Sequence, residues 1–169
     1  MERTLWVHIN PKNHKKKGIT YFPAVCYEDR GKPPLLVRVL KGRCKSNKNQ
    51  YDLLLTNIEF VIQVVKSEAD IFEGCTRLII VSSNQAIVSW FQKGNCPLNY
   101  KDQFSRVMAN LKTLPVGSLG ITNDIPCLAE KYCREYAVTD NYTESNDTEE
   151  DYISIVDIFS RTGGGDVSC

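Results

Sequence analysis

The sequence predicts one α/β domain, built on a five-stranded mixed sheet with flanking helices and followed by an acidic tail. Three observations predict this class. Three β-prone stretches separated by turn residues stand first, amphipathic helical stretches follow, and a continuous apolar stretch lies among those helices. At 169 residues the chain is long enough for one domain with a buried core. We expect residues 1–138 to form the domain and residues 139–169 the tail.

The first three strands are predicted from alternation and turn chemistry. Leu5 to Ile9 alternates, Ile19 to Tyr27 is rich in β-formers, and Leu35 to Leu40 follows the turn-forming residues 29–34. We expect Asn10 to Gly18 to be a loop. Short connections of this kind favour an antiparallel meander.

The next elements are predicted from helical spacing and from one apolar run. Tyr51 to Val65 carries apolar residues three or four apart, which indicates a core-facing helix. Cys75 to Val81 ends in the apolar run Leu78 to Val81, as expected of a central parallel strand buried on both faces. Asn84 and the serines before it can cap a helix that begins at Gln85 and runs to Lys93.

The last part of the domain is predicted to hold three elements. Tyr100 to Leu111 repeats the helical stripe, Leu114 to Leu119 favours a short last strand, and Ile125 to Tyr136 favours a closing helix. The order is therefore three strands, a helix, a strand, two helices, a strand and a helix.

Composition places the protein among soluble globular proteins, with 42% hydrophobic and 24% charged residues. No stretch approaches the roughly 18 apolar residues that span a bilayer, so no membrane partner is expected. The seven cysteines contain no Cys-x-x-Cys pair and are expected to be reduced thiols. These observations predict an intracellular protein of the nucleus or cytoplasm.

Four stretches, in this order and in these element types, resemble the ribonuclease H domains of retroviral polymerases. The resemblance covers about residues 4–138 and implies a ribonuclease-H-like fold and an origin in a retroelement polymerase. The four stretches are Trp6 to Asn10, Asn49 to Leu53, Val81 to Ala86 and Gly120 to Ala129.

The resemblance also implies that most catalytic acids of the family are missing from this sequence. Carboxylates of that family hold two magnesium ions, and at the matching positions only Asp52 is acidic. The matching positions are Ile9, Asp52, Ser83 and Cys127, and the family's mobile histidine falls near Ser118. We therefore expect no catalytic residues, no metal and no cofactor. The expected function is that of a pseudoenzyme acting as a protein-protein interaction or scaffold module, with residual metal-dependent nuclease activity the least favoured alternative.

A shifted metal site is a further alternative, made of His8, Asp52 and Asp124. Magnesium favours several oxygen ligands, so an imidazole beside one well-placed carboxylate is a poor match. His8 is expected to face solvent or to have a hydrogen-bond partner.

Charge is divided unevenly along the chain and suggests a second class of function. Residues 1–50 hold 12 Lys or Arg against 3 acids, whereas residues 139–169 hold 8 acids against one Arg. Two basic loops, 12–17 and 41–48, offer an RNA or DNA backbone a set of cations, although such runs are also common as solvated loops. The candidates are Lys12, Lys15, Lys16, Lys17, Lys41, Arg43, Lys45 and Lys48.

The tail contains a β-prone segment, residues 152–159, after an acidic leader. This pattern resembles a SUMO-interacting motif, in which a short strand adds to the edge of a partner sheet. The alternative is that the segment docks on its own domain. The candidate protein-binding residues are Ile153, Ile155, Val156, Ile158 and Phe159.

Overall fold

The computed structural model describes residues 2–14, 18–43, 49–139, 157–161 and 167–168. The strands are β1 (Thr4–His8), β2 (Lys12–His14), β3 (Ile19–Tyr27), β4 (Leu36–Arg43), β5 (Arg77–Val81), β6 (Ser118–Thr122), β7 (Asp157–Arg161) and β8 (Val167–Ser168). The helices are α1 (Gln50–Ser67), α2 (Ala69–Phe72), α3 (Gln85–Lys93), α4 (Lys101–Leu111) and α5 (Glu130–Thr139), with a 3₁₀ turn at Leu98–Tyr100. No helix in these ranges has the length and apolarity that crossing a membrane requires.

All the strands belong to one mixed sheet, in the order β6-β5-β1-β3-β4-β7-β8, with β2 paired to one end of β3. β1 is antiparallel to β3 and parallel to β5, which in turn is parallel to β6. The predicted α/β class, with antiparallel strands leading into parallel ones and flanking helices, is confirmed. To the five predicted strands the described part of the chain adds β2, β7 and β8.

The extra strand β2 lies within the segment predicted to be a loop. Lys12, Asn13 and His14 pair with Tyr21, Thr20 and Ile19 in a short antiparallel ladder. Gly18, which has a positive φ of 64°, stands just before β3 at the return of the chain. The local sequence is polar, so the pairing depends on β3, which provides the partner backbone.

Helix α1 begins at a reciprocal cap. The Asn49 side chain accepts hydrogen bonds from the backbone N–H groups of Tyr51 and Asp52, and Asp52 accepts one from the Asn49 N–H. Helix α3 begins at a one-way cap, in which the Asn84 side chain accepts a hydrogen bond from the Ile87 N–H, and it ends at Gly94, which has a left-handed backbone conformation. Both helices follow the predicted ranges closely.

The predicted last strand is displaced toward the C-terminus. Leu114 is buried in the turn after α4, and the strand begins only at Ser118, whose N–H donates to the Thr76 carbonyl oxygen at 2.8 Å. A Cβ added at Gly117 would lie 2.5 Å from that same oxygen, so only glycine permits this close approach of the two backbones. The prediction of Leu114 to Leu119 was therefore wrong in its position, because the strand starts where it meets β5.

Helix α5 also begins later than predicted, at Glu130 instead of Ile125. The Leu128 N–H donates to Nδ1 of His8 at 3.0 Å, and the Cys127 thiol donates to the Ile9 carbonyl oxygen at 2.9 Å. The chain before α5 is thus tied to the end of β1, and Pro126 cannot donate a helical hydrogen bond.

The two faces of the sheet carry separate cores. Phe22, Ala24 and Cys26 of β3 point toward α1, α3 and α4, whereas the intervening residues Tyr21 and Val25 point toward α5. We call these the α1 face and the α5 face.

Candidate functional site

Three of the positions at which the family has catalytic acids lie together at the carboxyl ends of the interior strands β1 and β5. Ile9 directly follows β1 and Ser83 follows β5 after one residue; the two strands are parallel neighbours and end together. The Ile9 N–H donates to the Val81 carbonyl oxygen at 2.9 Å, and the Cys127 thiol donates to the Ile9 carbonyl oxygen at 2.9 Å. We call this group, with Asn10, the strand-end site.

Each side chain of the strand-end site is uncharged. The Ser83 hydroxyl donates to the side-chain oxygen of Asn10 at 3.1 Å, and the Ile9 side chain is fully buried. Burial raises the pKa of the Cys127 thiol, which keeps it protonated at neutral pH. The hydrogen-bonding groups therefore satisfy one another without a cation.

The one acidic family position, Asp52, has a structural role in α1. Its carboxylate accepts the Asn49 N–H at 3.3 Å and completes the cap of the helix. Negative charge in the first turn also interacts favourably with the helix dipole. Ser118, where the resemblance places the family's histidine, begins β6, and its hydroxyl donates to the Thr76 carbonyl oxygen at 3.4 Å.

These residues do not fit a magnesium ion. A hard cation needs several oxygen ligands with negative charge, and the strand-end site offers a buried alkyl group, a protonated thiol and two neutral polar groups. The alternative set of His8, Asp52 and Asp124 is not brought together, since no group of three or more potential ligands occurs among the residues that the structure describes. Asp124 is exposed, and His8 faces the other way into the protein.

His8 is a buried, neutral histidine. It is 0% exposed, and desolvation, assisted by the positive charge of Arg30, lowers its pKa to about 4. Its Nδ1 accepts the Leu128 N–H, so the proton of the neutral ring is on Nε2, which has no hydrogen-bond partner in the described structure. The ring packs edge-on against Tyr27, with centroids 5.1 Å apart. Of the two alternatives predicted for His8, a hydrogen-bond partner is confirmed, whereas exposure to solvent was wrong because β1 is covered on this face by α5 and the chain before it.

The structure places three of the predicted nucleic-acid-binding residues at one end of the sheet. Lys12 is opposite Tyr21 across β2 and β3, and Tyr21 is opposite Lys41 on β4, so the two lysines flank one tyrosine. Arg43 lies two residues beyond Lys41 on β4. Lys12 forms an ion pair with Glu130 of α5 at 3.6 Å, and Lys41 is almost fully buried. The other candidates, Lys15, Lys16, Lys17, Lys45 and Lys48, lie outside the described residues.

Two of the predicted protein-binding residues lie in β7, which pairs with the domain itself. Ile158 is opposite Leu40 and Phe159 is opposite Val39, in an antiparallel ladder along β4. The candidates Ile153, Ile155 and Val156 lie outside the described residues.

Sequence reasoning missed one cluster of functional groups on the α5 face. Arg30 and Lys32 lie in the turn between β3 and β4 and line the same cavity as Lys131 and Tyr132 of α5. The composition of the segment between β3 and β4 predicted only a turn. Arg30 and Lys131 are about a hundred positions apart in the sequence, so no local pattern could indicate that they line the same cavity.

The chain matches no protein-family model, and no curated protein matches it. Solved structures do match. LC11-RNase H1 in complex with an RNA/DNA hybrid is 16% identical, with 77% of this chain and 89% of that chain covered and a TM-score of 0.50.

Two further matches have TM-scores of 0.49. The N-terminal RNase H domain of a Mycobacterium tuberculosis protein, solved as a fusion with maltose binding protein, is 11% identical, with 82% of this chain and 99% of that chain covered. RNase H1 from the halophilic archaeon Halobacterium salinarum NRC-1 is 13% identical, with 78% of this chain and 98% of that chain covered. At such identities the likeness concerns the fold, and the chain has a ribonuclease-H-like fold.

Proposed function

We propose that this ribonuclease-H-like domain is a pseudoenzyme, which does not cleave nucleic acid and acts as a protein-interaction or scaffold module inside the cell. The absence of nucleic-acid cleavage is supported by the chemistry of the strand-end site. Ile9, Ser83 and Cys127 are uncharged where two-metal phosphodiester cleavage needs carboxylates, and Asp52 is engaged in the cap of α1. Descent from a retroelement polymerase is part of the proposal and is supported by the four stretches of residue-level similarity.

Cleavage is tested directly on labelled RNA, DNA and RNA/DNA hybrid duplexes, with magnesium or manganese and with chelator. We expect no metal-dependent product from the purified chain. Metal-dependent cleavage that survives in an Asp52→Asn, Asp124→Asn variant would point to a contaminating nuclease. Cleavage that this variant loses would overturn the proposal and support residual nuclease activity.

The interaction role is supported by the edge of the sheet at β6, where the exposed Gln92 side chain donates to the Ile121 carbonyl oxygen at 3.3 Å and would be displaced by an added strand. In the described part of the chain β6 pairs only with β5, and Leu119 on it is 38% exposed. An apolar crevice of about 530 Å³, lined in part by Phe91, Met108 and Ile121, lies beside this edge. We propose that a partner adds an extended strand to β6 and inserts apolar side chains into the crevice, since exposed edges accept strands in this way.

This interaction is tested with a photo-crosslinking residue at position 119 and, as a control, at the exposed position 134 of α5. A partner recovered from position 119 is then purified and its affinity measured. Leu119→Lys is expected to weaken binding by about tenfold or more, because it places a charge in an apolar contact. An affinity unchanged by Leu119→Lys would exclude β6 as the docking edge.

The tail is the second interaction element of the proposal. β7 pairs with β4 along five residues, so it can bind a partner in trans only after leaving β4. Deletion of residues 139–169 is expected to weaken partner binding without unfolding residues 4–138. Stronger binding after deletion would mean that the tail covers a binding edge, and unchanged binding would contradict a role for the tail.

A second candidate function is RNA or DNA binding without cleavage. It is favoured by the position of Lys12 and Arg43 at one end of the sheet, close in sequence to the lysines at positions 15–17, 45 and 48. This model predicts binding that weakens steeply with salt and is abolished by charge reversal of the three lysines at positions 15–17. Binding that ignores both salt and charge reversal would exclude the model.

A further inference from the structure

A crevice on the α5 face lies between the β3–β4 turn and α5, on the opposite side of the sheet from the crevice beside β6. It encloses about 550 Å³, within the range of small-molecule sites. We call it the turn–helix crevice. Its lining residues include Tyr27, Arg30, Lys32, Pro33, Lys131 and Tyr132.

The charges around the turn–helix crevice are unbalanced. Arg30, Lys32 and Lys131 line it and are exposed, and Glu135 is the one carboxylate that lines it. None of the three cations forms an ion pair with a carboxylate of the described residues. Three positive charges against one negative charge favour an anion.

The turn that carries Arg30 and Lys32 is fixed by Asp29. Its carboxylate accepts the Gly31 N–H at 2.9 Å, and its carbonyl oxygen accepts the Lys32 N–H at 3.0 Å. Asp29, which precedes Arg30 in the sequence, therefore holds the backbone of the turn. On the other wall, the Lys131 ammonium lies 4.9 Å from the ring centroid of Tyr132.

The inner wall of the crevice is polar and connects to His8. The Tyr27 hydroxyl donates to the Tyr132 hydroxyl at 3.4 Å, and the Tyr27 ring packs edge-on against the His8 imidazole. His8 is neutral, and its Nε2 has no partner within the described structure. The wall thus contains no negative charge to compete with an anion.

We propose that the turn–helix crevice binds a small molecule that carries a phosphate or carboxylate group. Its anionic oxygens are held by Arg30, Lys32 and Lys131, and the rest of the molecule lies against Tyr27 and Pro33. Guanidinium and ammonium groups recognise both kinds of oxyanion, the guanidinium through two parallel hydrogen bonds. This site lies on the α5 face and is separate from the strand-end site and from the β6 edge.

The proposal is tested by titrating the full chain with pyrophosphate and, in a parallel arm, with citrate, by calorimetry and by NMR of the histidine ring signals. Saturable binding of at least one probe is expected, with a shift of the His8 signals, because His8 lies within electrostatic reach of Arg30. The stronger arm identifies phosphate or carboxylate as the preferred group. No saturable binding of either probe at millimolar concentration would overturn the proposal.

The matched variants are Arg30→Glu, Lys131→Glu at the crevice and Lys93→Glu, Lys101→Glu elsewhere on the surface. All four residues are exposed, and both pairs change the net charge equally. The crevice pair is expected to weaken binding by about tenfold or more, as for loss of charge-assisted hydrogen bonds, while the control pair leaves it nearly unchanged. Equal weakening by both pairs would mean that net charge alone attracts the probe, and would overturn the site.

Discussion

The two faces of the sheet differ in size and in chemistry. The buried residues of the α1 face are aliphatic side chains, phenylalanines and cysteines, which come mainly from helices α1 to α4 and from the four strands β1, β3, β4 and β5. The α5 face has one covering helix, and its smaller core includes four buried tyrosines. The difference teaches that hydrophobic burial on the α1 face carries most of the stability, which leaves the α5 face able to hold polar and titratable groups.

The largest expected effect is a truncation in the α1 face. Leu55→Ala removes a fully buried side chain of α1 and should lower the free energy of unfolding by about 2–5 kcal/mol, through lost burial and the cavity left behind. Denaturant unfolding measures it, and Gln63→Ala on the exposed side of α1 is the control, expected within about 0.5 kcal/mol of the wild type. A similar, small cost for both variants would remove the distinction between the faces.

The next effect is the pH dependence that the α5 face owes to His8. Its folded pKa of about 4 is below the ordinary value of 6.5, so between these values the unfolded chain binds a proton that the folded chain does not. The stabilisation is fully present above about pH 6.5 and is lost as the pH falls toward 4, up to about 3 kcal/mol.

This pH dependence is measured as the free energy of unfolding of the wild type and of His8→Asn between those two pH values. The variant should lack the part of the slope that His8 contributes. The control Gln63→Ala, on the exposed side of α1, should keep the wild-type slope. If the two variants have the same slope, His8 is not buried in its neutral form.

A smaller effect is expected from the tyrosine pair of the α5 face. Tyr132→Phe removes one partner of the hydroxyl contact with Tyr27, in a region that is otherwise unchanged in shape. The expected cost is about 0.5–1.5 kcal/mol, the usual net value of one hydrogen bond. Thermal unfolding is measured for this variant and for Phe91→Leu on the α1 face. The two melting temperatures compare the loss of one hydrogen bond with the loss of apolar packing. A stabilised Tyr132→Phe would mean that the hydroxyl pair is a cost to the fold.

The smallest effect is expected at the ion pair that joins β2 to α5. Glu130 pairs with Lys12 and also with Arg134 at 3.7 Å, and all three side chains are substantially exposed. Glu130→Gln should therefore cost less than about 1 kcal/mol, and the cost should disappear at high salt. Asp102→Gln in the first turn of α4 serves as the comparison, since Asp102 forms no ion pair with another described residue. A salt-independent cost at Glu130 would indicate that its contact with Lys12 is not mainly electrostatic.

Two of the four positions named by the resemblance, Ile9 and Ser83, lie just after strands that the local sequence pattern predicted. Ile9 and Ser83 follow strands that alternation and apolar composition predicted, and parallel neighbours bring such ends together. The environment of Cys127 was not predictable, since Leu128 leaves the expected helix to bond with His8, 120 residues away in sequence.

The sequence by itself determined the class of the fold, the meander of β1, β3 and β4, the apolar strand β5 and the capped helices α1 and α3, because their periodicity and caps are local. Only the tertiary structure decided the late start of α5, the burial of His8 and the pairing of β7 with β4. It also decided that Arg30 and Lys131 line the same crevice. These features depend on contacts between distant segments, and the free energy of such contacts overrides local propensity.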